Sequence, residues 1–181
     1  MIASNVSKRY AKAFFDVAGE ENKYEEYYHE LRRFSAVIEE NTKLKEFLLN
    51  PVFEKADKKS VVDKILSKFE LSFSTVSFIR LLVDKGRIGG IGEIEGKYRI
   101  LMDDALGIAK VQVKTAFPLT PELFVRLKQG LESLTGRKVE MQVEEDASLL
   151  GGIVVRVRDR LYDGSIKMQL DNMMKLLREE I

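Results

Sequence analysis

The spacing of apolar residues changes once along this chain, near Gly107, and this change constrains the fold more than any other feature of the sequence. Before it, apolar residues recur every three or four positions along six successive segments, which indicates amphipathic helices. After it, the segment 109–116 alternates apolar and polar residues, which is typical of a half-buried strand. The sequence therefore predicts an α+β protein, with an N-terminal six-helix bundle in residues 1–106 and a small C-terminal αβ module in residues 107–181.

Strands and well-marked turns make up the predicted C-terminal module. A second alternating segment, 138–145, carries glutamates where the first carries lysines, so we expect these two strands to pair. Thr120 and Gly136 mark the start and the end of a helix between them. The glycine pair 151–152 opens a third strand, and Ser165 caps a last helix. We expect that helix to bury five apolar side chains: Ile166, Leu170, Met173, Met174 and Leu177.

Composition and charge exclude several classes of protein. The 181 residues carry 30 basic and 29 acidic side chains, so we expect no recruitment of nucleic acid or of an anionic membrane surface. The absence of cysteine excludes disulfides and thiolate metal sites, and a single histidine, His29, cannot form an imidazole cluster. No apolar run reaches the roughly 18 residues of a membrane span. We therefore expect a soluble protein that is not exported and that binds neither a metal nor a cofactor.

Four segments invite a catalytic interpretation that their details do not support. The glycine-rich segment 86–98 would need a glycine at position 91 to form a phosphate-binding loop, and isoleucine stands there. His29 has no nucleophile near it in the sequence. Asp103 and Asp104 are helical neighbours whose side chains diverge. The acidic run 144–146 is divided between a strand and a turn. A non-catalytic interpretation is favoured for all four, namely an inter-helix turn, a structural or surface histidine, a solvated helix end, and a strand with its turn.

Two helices are more apolar than a single core requires. In the first, about residues 5–20, the line Lys8, Lys12 and Asp16 holds the charges, which leaves an apolar arc of about 200°. A helix that rests on one core needs little more than 100°. The fifth helix, within 72–86, is also apolar over more than one face. These patterns predict a groove that accepts an amphipathic helix from a partner. The alternative is that both are simply central helices of the bundle.

Four motifs, in this order and with this number of helices, resemble the δ subunit family of F-type ATP synthases, called the oligomycin-sensitivity-conferring protein (OSCP) in mitochondria. The resemblance covers essentially the whole chain. It is most specific in the fourth motif, with its glycine pair and its Asp-Gly-Ser. The motifs are RYAKAFFDVA (9–18), NPVFEKADKKSVVDKIL (50–66), FIRLLVDKGRI (78–88) and DASLLGGIVVRVRDRLYDGS (146–165).

The resemblance implies a subunit without catalytic activity. In this family the N-terminal six-helix domain binds the N-terminal helix of an α subunit in the groove between its first and fifth helices, and the C-terminal module joins the C-terminal end of the b subunit. The implied function is that of a stator, or peripheral stalk, which clamps the α₃β₃ head to the b-subunit stalk and so couples proton-driven rotation to ATP synthesis. The implied location is the cytoplasmic face of the inner or plasma membrane, with membrane contact only through the complex.

By position, the resemblance assigns seven groove residues to the two over-apolar helices. At the level of the sequence it stays open which of them face the partner and which face the core. Two other functions also stay open, namely a free-standing helical adaptor or chaperone and an enzyme that uses carboxylates of the αβ module. The seven residues are Tyr10, Ala13, Phe14 and Val17 on the first helix, and Phe78, Ile79 and Leu82 on the fifth.

Overall fold

The computed structural model describes the chain from Ile2 to Glu179. Side chains within this range are described for residues 5–175. The chain forms two compact units, residues up to Met102 and residues from Asp103 onward. The described range contains eight α-helices and one four-stranded sheet, so the expected α+β class is confirmed.

Helices make up the first unit, and local signals fix where they begin and end. The side chain of Asn41 accepts a hydrogen bond from the Leu44 amide at 3.1 Å at the start of the third helix. Gly86 takes a positive φ of 64° just after the fifth helix, a conformation that glycine adopts without strain. The helices are α1 (Ile2–Glu20), α2 (Tyr24–Glu40), α3 (Thr42–Leu49), α4 (Lys55–Leu66), α5 (Phe73–Asp84) and α6 (Ile91–Ala105), with a 3-10 turn (Ile88–Gly90) before the last.

Buried side chains from these helices form one apolar core. Phe14 on α1 is 2% exposed and stacks on Phe78 of α5, with ring centroids 4.2 Å apart. Its ring also stacks on Tyr27 of α2 at 5.4 Å. Burying a phenylalanine contributes about 1.5–3 kcal/mol, and a good aromatic pair adds about 0.5–1.5 kcal/mol. This stack therefore fixes α1 against both α2 and α5.

A mixed sheet with one crossover helix forms the second unit. Its elements are β1 (Ile108–Thr115), α7 (Pro121–Thr135), β2 (Lys138–Glu145), β3 (Ile153–Val157), β4 (Arg160–Asp163) and α8 (Ile166–Glu179). The strand order is β2-β1-β3-β4, with β1 parallel to β2 and the other pairs antiparallel. Lys110 and Lys114 of β1 lie 3.8 and 3.6 Å from Glu140 and Glu144 of β2, so the expected charge pairing is confirmed. Thr120 accepts a hydrogen bond from the Leu123 amide at 3.3 Å and caps α7 as predicted.

Glycines tie β3 to the start of α8. Gly152 has a φ of 79°, and a Cβ atom there would collide with the backbone carbonyl of Gly164. The carbonyl oxygen of Gly151 accepts a hydrogen bond from the Ile166 amide at 3.0 Å. Ser165 then caps α8, since its hydroxyl accepts from the Met168 amide at 3.1 Å. Close packing between the backbones of β3 and the start of α8 thus explains the glycine pair and the Asp-Gly-Ser sequence of this segment.

The expectation that α8 buries its apolar face is wrong for the described side chains. Ile166, Leu170, Met173 and Met174 are 44–59% exposed, and Leu177 lies outside the described side chains. A helical period shows which face of a helix is apolar, but it does not show what covers that face. Among the described residues, no helix is long and apolar enough to span a bilayer.

Candidate functional site

A groove runs between α1 and α5, which lie antiparallel. Near one end, the Ser74 hydroxyl of α5 donates a hydrogen bond to Glu21, just after α1, at 2.9 Å. In the middle, Phe14 meets Phe78. Toward the other end, the groove is lined by Val6 of α1 and by Arg87, which follows α5. The groove therefore extends over about three turns of α1.

Core residues form the floor of this groove, and exposed apolar side chains form its walls. Phe14 and Phe78 are buried, whereas Phe73 is 85% exposed and Leu81 is half-exposed. The groove encloses about 870 Å³. The lining residues are Val6, Arg9, Tyr10, Lys12, Ala13, Phe14, Asp16 and Val17 from α1, Phe73, Ser74, Ser77, Phe78 and Leu81 from α5, and Arg87.

The wide apolar arcs of α1 and α5 are explained by two separate stripes on each helix. On α1, Ala11 and Ala18 point into the core, whereas Ala13 and Val17 line the groove. Five of the seven residues assigned from the resemblance line the groove. The other two, Ile79 and Leu82, are fully buried in the core and do not line it. The five are Tyr10, Ala13, Phe14, Val17 and Phe78.

Sequence reasoning missed the groove-facing stripe of α5. Phe73, Ser77 and Leu81 line the groove at intervals of four residues. Ser77 is polar, and it stands between two exposed apolar side chains. The signal that could have found this stripe is a small residue flanked by apolar ones at positions i−4 and i+4, since a small side chain lets a second helix approach closely.

A carboxylate from α2 holds the N-terminal end of α5. Glu30 is nine-tenths buried and accepts hydrogen bonds from the amide and the hydroxyl of Ser72, at 2.7 and 2.6 Å. It also accepts from the Thr75 hydroxyl. In a capping box the glutamate comes from the third residue of the same helix. Here that position is Thr75, and Glu30 supplies the carboxylate from a neighbouring helix, which fixes where α5 begins.

A second carboxylate, Glu21, braces the same end of the groove. It accepts hydrogen bonds from the hydroxyls of Tyr27 and Ser74, and these bonds lower the pKa of Glu21 below its usual range. Glu21 is therefore ionised at neutral pH. The two carboxylates place Phe73 of α5 at the mouth of the groove with a fixed backbone.

The carboxylates considered as catalytic candidates are held in ion pairs. Asp104 accepts from both Arg137 and Arg158, and Asp103 lies 3.2 Å from Lys110. In the acidic run at the end of β2, hydrogen bonds from Ser148 lower the pKa of Asp146. Among the described residues, no group of three or more acidic or histidine side chains could hold a metal ion. These contacts give the carboxylates a structural role.

Comparison with known proteins places this fold in one family. The chain matches the family model described as ATP synthase delta (OSCP) subunit over residues 6–177. It is 55% identical over 181 residues to the ATP synthase subunit delta of Syntrophus aciditrophicus (strain SB), with 100% of both chains covered. It is 36% identical over 173 residues to that of Desulfatibacillum aliphaticivorans, with 96% of this chain and 94% of the relative covered.

A solved structure shares the fold. A chain in the cryo-EM structure of the Toxoplasma gondii mitochondrial ATP synthase hexamer superposes with a TM-score of 0.65 at 20% sequence identity, with 94% of this chain and 96% of that chain covered. The resemblance carried by the four ordered motifs is confirmed. A groove that offers apolar contact area suits this family, whose members are non-catalytic components of the peripheral stalk of F-type ATP synthase. The chain belongs to the ATP synthase delta (OSCP) subunit family.

Proposed function

We propose that the groove between α1 and α5 receives the N-terminal helix of an ATP synthase α subunit. In this proposal residues 1–106 act as a six-helix bundle that binds the α subunit, and residues 107–181 join the C-terminal end of the b subunit. The protein then clamps the α₃β₃ head to the stalk on the cytoplasmic face of the membrane, and it reaches the membrane only through the complex.

The single observation that carries the proposal is the preformed apolar groove. Its lining runs from Val6 to Val17 on α1, which at 1.5 Å per residue is about 16 Å, or three helical turns. The lining includes a small side chain on each helix, Ala13 on α1 and Ser77 on α5. Small side chains at both positions let a helix backbone settle onto the Phe14–Phe78 floor. An amphipathic helix of three turns therefore fits the groove in length and in chemistry.

Such a contact suits a stator because the load on it is sustained. Affinity differences between related interfaces arise mostly from the rate of dissociation. An apolar groove with a rigid floor supports slow dissociation, since the bound helix is desolvated over its whole apolar face and the groove needs no rearrangement. The exposed apolar face of α8, around Leu170 and Met173, is the corresponding candidate for the b-subunit contact in the second unit.

The test is a titration of the full chain with a peptide from the N-terminal helix of the α subunit, followed by calorimetry. Ala13→Asp places a charge in the groove, and we expect the peptide to bind at least about 30-fold more weakly, because a carboxylate would be desolvated against the apolar floor at a cost of about 2 kcal/mol or more. Ala56→Asp is the matched control, since Ala56 is exposed on α4 and lies outside the groove.

Two outcomes would contradict the proposal. Unchanged binding by the Ala13→Asp chain would remove the groove as the α-subunit site. Equal affinity for unrelated amphipathic helices would instead support a general helix-binding adaptor. A thermal unfolding curve of the Ala13→Asp chain that overlays the wild-type curve would show that lost binding does not reflect lost folding.

A further inference from the structure

The two ends of the groove differ in charge. Because α1 and α5 are antiparallel, the early part of α1 and the end of α5 share one end, where Arg9 and Arg87 line the groove. The late part of α1 and the start of α5 share the other end, where Asp16 lines the groove and Glu21 closes it. We refer to these as the basic end and the acidic end.

The arginines at the basic end have no acidic partner among the residues that the structure describes. Neither Arg9 nor Arg87 forms an ion pair there. By contrast, other cations on the same unit are paired, such as Arg80 with Asp63 at 2.7 Å. At the acidic end, Glu21 accepts hydrogen bonds from the hydroxyls of Tyr27 and Ser74, and these bonds favour its charged form and lower its pKa.

The backbone of the groove does not add to this asymmetry. A helix carries about half a positive charge at its N-terminus and half a negative charge at its C-terminus. The C-terminus of α1, at Glu20, and the N-terminus of α5, at Phe73, lie at the same end of the groove, so their partial charges oppose each other. The side-chain charges therefore decide which end of a bound helix each end of the groove prefers.

From this charge pattern we propose a direction for the bound helix: it lies antiparallel to α1, with its N-terminal end against Asp16 and Glu21 and its C-terminal end against Arg9 and Arg87. The partial charges of its backbone then face opposite charges at both ends. A helix at the start of a chain also brings an α-amino group, which is positively charged below a pH of about 8. This inference rests on the proposed function, and it specifies the orientation of that partner.

The absence of cysteine makes a direct test possible. Asn5 and Glu20 are exposed on α1 near the basic and the acidic end, and neither lines the groove. They are about 22 Å apart along the helix axis. Single substitutions, Asn5→Cys or Glu20→Cys, are each spin-labelled, and the α-subunit peptide carries a second spin label at its C-terminal end. Electron–electron distances are then measured in the two complexes.

We expect the peptide label to lie closer to position 5 than to position 20 by an amount approaching 20 Å. A shorter distance to position 20, or equal distances, would overturn the proposed direction while leaving groove binding in place. Absence of binding would overturn the proposed function and the direction together.

A charge variant tests the physical cause. Asp16→Lys reverses the charge at the acidic end, and we expect the α-subunit peptide to bind about 3- to 10-fold more weakly at low ionic strength, with the difference shrinking as salt is added. The matched control is Asp159→Lys, at an exposed turn of the second unit, which should leave binding unchanged. Tighter binding by the Asp16→Lys chain would overturn the assignment of the acidic end to the N-terminus of the helix.

Discussion

Two of the exposed apolar surfaces that the structure describes are built differently. The groove between α1 and α5 is concave, and its floor consists of Phe14 and Phe78, which also belong to the core. The apolar face of α8, with Leu170 and Met173, is convex and projects from a helix that is anchored at its first turn by Gly151. The groove exists because the unit around it has folded, whereas the α8 face exists because of its own sequence pattern.

This difference has consequences for what each surface can do alone. The floor side chains of the groove, Phe14 and Phe78, are held by packing, and Glu21 and Glu30 hold the end of α5, so the floor loses little conformational entropy when a helix binds there. Exposed side chains of α8 keep their rotamer freedom until a partner covers them, so binding there requires a larger loss of side-chain conformational entropy. The α1–α5 groove is therefore preorganised, and substitutions in its floor should affect both folding and binding.

The largest expected effect comes from a substitution in the floor of the groove, because the floor is also part of the core. Phe14→Ala removes a ring that stacks on Phe78 and Tyr27, and we expect a loss of about 3–5 kcal/mol in the free energy of unfolding together with a loss of groove binding. Denaturant titration of the whole chain measures the first quantity. The counterpart on α8, Leu170→Ala, should change the free energy of unfolding by no more than about 0.5 kcal/mol. A cost above 2 kcal/mol for Leu170→Ala would mean that the α8 face is packed in solution.

A second substitution addresses the anchor of α8. Gly152→Ala forces a Cβ toward the Gly164 carbonyl at a positive φ, and we expect it to destabilise the second unit by about 2–3 kcal/mol. Gly130→Ala is the matched control, because Gly130 lies within α7 with open space around it, and alanine there should add about 0.5–1 kcal/mol of stability. Amide hydrogen exchange in β3 and α8 measures both changes. Equal protection in the two variants would show that the Gly152 contact does not hold α8.

A third substitution loosens the groove without touching its lining. Glu30→Gln keeps the shape of the side chain but removes the charge that accepts from Ser72 and Thr75, and we expect about 1–2 kcal/mol less stability. Thermal unfolding measures this loss. On the same helix, Glu40→Gln is the exposed control and should have no measurable effect. Unchanged stability of the Glu30→Gln chain would mean that α5 is positioned by packing alone.

The smallest effect is expected from pH at the acidic end of the groove. The folded protein lowers the pKa of Glu21, so this group stabilises the fold above its unfolded value of about 4.3, and the contribution is lost as pH falls through the lower, folded value. Carboxyl NMR titration should therefore find a midpoint for Glu21 below the usual value of a glutamate. Ser74→Ala should raise its midpoint toward the usual value, since one donor is removed. An identical midpoint in both chains would assign the shift to Tyr27 alone.

Most of the fold could be predicted because the period of apolar residues reports local structure directly. The helix caps at Thr120 and Ser165, the change of period near Gly107 and the lysine–glutamate pairing of β1 with β2 all follow from short-range patterns. The exposure of α8 could not be predicted, because a helical stripe has the same spacing whether another element covers it or not. Tertiary packing decides that, and it is not encoded in a local period.

The groove could be predicted only in part for a related reason. An apolar arc too wide for one core indicated a second surface on α1 and α5, and Ala13 and Val17 do line it. The division of α5 into a buried stripe and a groove stripe depends on its rotation about its own axis. Long-range contacts set that rotation, and they include the burial of Ile79 and Leu82 in the core and the contacts of Glu30 with Ser72 and Thr75. Residues 42 to 45 positions apart in the chain leave no joint pattern in a single sequence.

The strand order β2-β1-β3-β4 matters while the chain is being synthesised. The central strand, β1, is the first of the four to leave the ribosome, and both of its neighbours follow later, β2 after α7 and β3 after that. Helices of the first unit can form from local contacts during this interval, whereas β1 remains unpaired at both of its edges until β2 and β3 have been synthesised. A nascent chain that stalls after Thr135 would therefore present an unpaired, valine-rich strand to other chains, and truncated forms of this protein should aggregate through the middle of the sheet.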